Sequence, residues 1–131
     1  MTAAPSALRA LLRPVLLALP ALLAIAALPA LAHHGWRWTT GENLELTGVI
    51  REARLGNPHG VLTVQAEDET WTVEVGQPWR NARAGLTDEM LAPGREAVFV
   101  GEPSADLADR RLKAERIVIA GVTHDLYPDR D

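Results

Sequence analysis

Two adjacent imidazoles, His33 and His34, and a third, His59, in the run Gly56-Asn57-Pro58-His59-Gly60, are the residues whose types best suit chemistry. Imidazole nitrogens favour transition metals over hard cations, and copper heads the divalent affinity series. Ala30-Leu31-Ala32 places a small-x-small cleavage site directly before the pair. A cut after Ala32 would make His33 N-terminal, so that its α-amine and Nδ1 could close one chelate ring on Cu(II), with His34 one residue away. His59, on a short rim turn, is expected to complete the set if the arm behind the cut folds over that rim. The fourth histidine, His124, reads as a bystander in a loose tail.

Other chemistries find little support. The chain has no cysteine, and its only serine beyond residue 32, Ser104, has no G-x-S-x-G context; no glycine-rich phosphate loop is present either. The expectation is a protein that is not an enzyme. Aromatic faces offer a second kind of site, because they can stack on bases or sugars. Trp71 alternates with Val73 and Val75 and belongs in the core, whereas Trp36, Trp38 and Trp79, together with Asn57, form a candidate ligand surface. Trp36 and Trp38 flank Arg37, share a face, and are expected to cover an open end of the fold.

The compartment follows from the first 32 residues. They hold none of the 17 acidic side chains; Arg9 and Arg13 form a positive n-region, and residues 15–28 an apolar h-region. That order is a secretory signal, removed on export, which is the chain's expected membrane contact. The remaining 99 residues carry 17 acidic and 11 basic side chains, a formal charge near −6. Such a domain opposes nucleic acid, whose binding needs basic residues to displace counterions. Without cysteine it must hold together in the oxidising periplasm with no disulfide.

The elements that must position these residues are mostly strands. Over residues 43–55 the apolar parity switches just after Gly48, as in one long strand that bends at a glycine. Residues 61–66 and 70–75 alternate with period two and read as a hairpin. Pro78, Gly85 and the Thr87-Asp88-Glu89 start predict two short helical pieces over residues 78–91. Two further strands follow at residues 97–101 and 111–119, separated by a polar loop over 102–110. The order β-β-β-α-β-β is that of a small five-stranded OB-like barrel. The expected organisation is a signal at 1–32, an N-terminal arm at 33–42, a barrel at 43–120 and a flexible tail at 121–131. An alternative is a six-stranded barrel with an edge strand at 36–40.

The chain also resembles a family of small secreted bacterial proteins of unknown function. The resemblance rests on His33-His34, on Asn57-Pro58-His59, on Ala82-Arg83-Ala84-Gly85 and on the run from Leu91-Ala92-Pro93-Gly94 to Val98-Phe99-Val100-Gly101. Gly35-Trp36, Ala97 and Phe99 depart from its usual pattern. It implies an exported OB-like barrel and carries no activity. The reading as a whole is an exported, monomeric periplasmic binding protein that takes Cu(II) through His33, His34 and His59. The alternative is a metal-free scaffold for an unknown protein or small ligand.

Overall fold

The structure is a computed structural model and describes residues 34–130. Residues 1–32, expected to be a secretory signal, and His33 therefore lie outside the described residues. Six strands make up the sheet: β1 (Leu44–Arg54), β2 (Val61–Ala66), β3 (Glu69–Glu74), β4 (Glu96–Pro103), β5 (Arg111–Ile119) and β6 (Val122–Asp125). Their order is β3-β2-β1-β4-β5-β6, and a parallel pairing of β3 with β5 closes the first five into a barrel.

Closure depends on β1 serving two neighbours. Its first half pairs with β4, from Leu44↔Gly101 to Val49↔Glu96, and its second half with β2, from Val49↔Gln65 to Arg54↔Val61. The register shifts between Ile50 and Glu52, next to the parity switch in the sequence. Gly48 lies in the bend because a Cβ there would come 2.6 Å from the Gln65 carbonyl oxygen. The inward side chains of the strands, among them Ile50, Leu62, Val64, Val73, Phe99 and Leu112, are all fully buried. Each such residue contributes roughly 1.5–3 kcal/mol relative to exposure. Trp71 joins this core at 8% exposure.

The connection between β3 and β4 is two short pieces, as the sequence predicts: the helix α1 (Pro78–Arg83) and a 3-10 turn (Asp88–Leu91). Pro78 fits the first turn of α1, where its missing N–H costs nothing. Gly85 follows α1 in the left-handed conformation, with φ of 76°. Thr87 caps the second piece by accepting from the Met90 N–H.

Two expectations differ from the structure. Residues 36–40 add no edge strand: His34–Trp36 is a 3-10 turn, and Thr39 makes one isolated bridge to Ser104. The sixth strand is β6, within the stretch expected to fray. There, His124 is 7% exposed and its Nδ1 lies 2.9 Å from the Ala84 carbonyl oxygen; Leu126 is 1% exposed and its N–H donates to the Glu115 carbonyl. Apolar content alone gave this tail little to bury. Backbone pairing and one buried leucine hold it.

Candidate functional site

Along β5, Leu112 and Ala114 belong to the core, so the alternate residues Arg111, Lys113 and Glu115 point to the outer face of the barrel. An outward polar residue ordinarily meets water. Here Lys113 is 8% exposed and Glu115 1%, as are Glu74 of β3 at 2% and Glu102 of β4 at 4%. The N-terminal arm and the C-terminal tail cover them. Trp36 lies edge-on to Tyr127 with ring centroids 5.1 Å apart, and its ring faces both Arg130, at 3.9 Å, and Lys113 Nζ, at 5.0 Å. Trp38 carries the Arg111 guanidinium at 4.0 Å. The two tryptophans thus do share a covering role, but over the outer face of β5 and not over an open barrel end.

The buried charges fall into two groups. In the first, Glu74 pairs with His59 Nε2 through one oxygen and with Arg111, at 2.9 Å, through the other. The Arg111 contact is an ion pair without hydrogen-bond alignment, which leaves Glu74 Oε2 buried with no donor. In the second, Arg130 bridges Glu102 and Glu115, donating to Glu115 Oε1 from Nε at 3.0 Å. The arm completes this group: Thr39 and the Gly41 N–H donate to Glu102, and Asn43 donates to Glu115 Oε2 at 2.9 Å. Glu102, expected in a surface loop, is instead the end of β4 and a buried anchor.

These surroundings move protons. Burial pushes the Glu102 carboxyl up, but the hydrogen bonds from Thr39 and Arg130 and the Arg130 charge outweigh it and hold the group below the usual carboxylate range. Burial pulls the Lys113 ammonium below its ordinary value; Glu74 opposes the shift, while Arg111, Arg130 and Arg80 reinforce it. Tyr127 is pushed up, chiefly by burial. Arg80 stacks over the Tyr127 ring at 4.2 Å and donates to the Leu126 carbonyl.

The expected site residues divide accordingly. His34 opens the 3-10 turn that places Trp36 beside Lys113 of β5. His59 sits on the β1–β2 connection with its side chain 30% exposed, and lines a recess of about 220 Å³ with Arg54, Leu55, Gly56, Asn57 and Val61. Asn57 is exposed and precedes Pro58 through a cis peptide bond. Trp79 is 54% exposed on α1 and, among the described residues, stacks only against Arg80, at 4.6 Å. Among the described residues no three His, Cys, Asp or Glu side chains gather as a metal-holding group. Glu74, Glu102, Lys113, Glu115 and Arg130 were not singled out by the sequence. In a strand, polar alternation signals a wet face, and only the arm and tail make this one dry.

Fold and site together define a small closed β-barrel of five strands with one added strand, whose outer face carries charges sealed beneath residues 36–43 and 126–130. The chain belongs to the family of unknown function DUF6152, which matches residues 21–112. No curated protein matches it.

Proposed function

We propose that the mature protein is an exported, periplasmic, non-catalytic binding module that holds one Cu(II) with the His33 amine and imidazole, His34 and His59. The observation that supports this most is the pairing of His59 with Glu74. A ligating histidine characteristically gives its second ring N–H to a carboxylate, which fixes the tautomer and orients the other nitrogen. In the tautomer with its proton on Nε2, facing Glu74, Nδ1 of His59 is the lone-pair nitrogen. The arm supports the reading too. Gly35 stands over Lys113, the register partner of the Glu74 that holds His59, so arm and His59 serve the same region of the barrel.

Copper titration calorimetry on four mature proteins tests the reading, after intact mass has verified loss of residues 1–32. They are the wild type, a form with one extra N-terminal glycine, His34→Ala and His59→Ala. The wild type should bind one Cu(II) tightly, more tightly than Zn(II), and less well as acid protonates its nitrogen donors. The added glycine should weaken binding by removing the His33 amine from its ring, and His59→Ala should cost about 10–100-fold. Equal, weak affinities for all four would leave a metal-free scaffold.

A further inference from the structure

β1 changes partners at Val49, and the change leaves part of its edge open. Successive residues of an antiparallel strand turn their N–H and C=O groups to opposite edges. The Ile50 N–H donates to the Arg95 carbonyl at 2.8 Å, just ahead of β4, so Gly48, Leu46 and Leu44 bond β4 while Val49, Thr47 and Glu45 turn to the other edge. There Val49 meets Gln65 of β2. β2 then ends at Ala66 and turns away into β3. On that edge no group among the described residues bonds the backbone of Thr47 or Glu45, and both residues are exposed. An unpaired row of this kind is a template for a further strand.

The open edge lines a recess of about 330 Å³, with residues 44–47 on one side and Ala66, Glu67, Glu69 and Trp71 on the other. Leu44, 36% exposed, gives it apolar surface. Its charged residues are all acidic and all exposed: Glu45, Glu67 and Glu69. Arg110 shows what this surface accepts, since its guanidinium pairs with Glu69 at 2.7 Å and lies 5.6 Å from the centre of the Trp71 ring. Glu45 and Glu67 have no such partner among the described residues.

We propose that the open edge of β1 docks an extended basic peptide, added as a strand beside residues 45–47. The peptide's backbone bonds the free N–H and C=O groups of Glu45 and Thr47. Alternation then fixes its side chains: those opposite Glu45 and Thr47 fall on the outer face, and those opposite Leu44 and Leu46 on the inner one. Lysine or arginine at the first set meets Glu45 and reaches toward Glu67, and apolar residues at the second cover Leu44. A second copy of this chain fits the edge poorly, because two-fold pairing would set these acidic residues against themselves. The recess lies at the start of β1 and His59 beyond its end, so the docking site stands or falls without the copper donors.

Three labelled hexapeptides test this by fluorescence anisotropy at physiological salt, with no metal, on a fragment of residues 33–131, which holds the whole barrel. One alternates lysine with valine, one alternates glutamate with valine, and the third is the lysine peptide with every peptide nitrogen methylated, which keeps the charge but donates no backbone hydrogen bond. The unmethylated lysine peptide should bind saturably and at least about tenfold more tightly than the other two, the worth of one or two net hydrogen bonds. In 15N-labelled fragment the amide resonances of Glu45 and Thr47 should shift as it binds. Thr47→Pro removes an edge donor that β4 does not use, and should weaken binding by about tenfold or more. Glu45→Lys combined with Glu67→Lys should transfer the preference to the glutamate peptide, which keeps the test decisive if Thr47→Pro fails to fold; circular dichroism verifies each variant. Absence of saturable binding by the lysine peptide, equal binding of its methylated form, or undiminished binding to folded Thr47→Pro overturns the proposal. A fragment dimer that Thr47→Pro converts to monomer overturns it too, by giving the edge to a second copy.

Discussion

Replacing Arg130 by methionine puts the sealed charge layer to its most direct test. The substitution keeps most of the side chain's apolar length but removes the cation that Glu102 and Glu115 share. Removing one partner of a fully buried pair costs about 3–5 kcal/mol, because the other charge stays behind without compensation. The Arg130 side chain is 30% exposed, so water takes over part of its role and about 2–3 kcal/mol is the better expectation. For a domain of this size, roughly 4–8 °C per kcal/mol turns that into a melting temperature lower by about 10–20 °C. The pH dependence is more diagnostic. In the wild type the folded pKa of Glu102 lies below its unfolded value, so its contribution is present above the unfolded pKa and lost as pH falls through the folded one. In Arg130→Met burial dominates and the folded pKa rises, so acid relieves the variant before it harms the wild type. The stability gap between the two should therefore be widest near neutral pH and shrink as pH falls through the carboxylate range. Adding Glu102→Gln and Glu115→Gln to Arg130→Met should recover most of the loss. Urea unfolding of all three proteins from neutral to acid pH decides the matter. A gap below about 1 kcal/mol, or one that does not change with pH, would show that the two carboxylates are not held by Arg130.

Two further outcomes are expected. Gly101→Ala should cost about 3 kcal/mol or more, because the new Cβ would lie 2.0 Å from the Lys113 carbonyl oxygen and force β4 from β5; a wild-type urea midpoint would contradict the register described for that pair. Labelled single-stranded DNA should show flat fluorescence anisotropy with a micromolar fragment of residues 33–131 at physiological salt, since its 11 basic residues against 17 acidic ones cannot offset the phosphate charge, and saturable binding would refute this.

The barrel was legible because its strands obey period two and its bend carries a glycine. Leu62, Val64, Trp71 and Val73 announce buried faces, and the parity switch beyond Gly48 announces a strand with two partners. The helical connection was legible for a similar local reason, since Pro78, Gly85 and Thr87 are each tied to a backbone position. The site was legible only in part. His59 stood out by its type, but its partner Glu74 lies 15 positions away in a strand where a glutamate between two valines looks solvated. Lys113 and Glu115 hide in the same way on β5. Their burial is decided by Trp36 and Arg130, which lie far from them in sequence and whose placement no local pattern encodes. The tail deceived for want of apolar residues, since its hold on the barrel comes from strand pairing, one buried leucine and one guanidinium.

That hold sets an order of events for a growing chain. Glu102 is synthesised 28 residues before Arg130, and until residue 130 has been added this carboxylate lacks the counter-charge that draws it out of water. The parallel closure of β3 on β5 likewise waits for residues about 40 positions apart, from Thr72↔Arg111 to Glu74↔Lys113. Early segments are thus kept from finishing the barrel ahead of late ones, and the polypeptide stays threadable until its far end is available. A fastening made last leaves the barrel open until then, and a bulky tag placed close behind Arg130 is the modification most apt to spoil it.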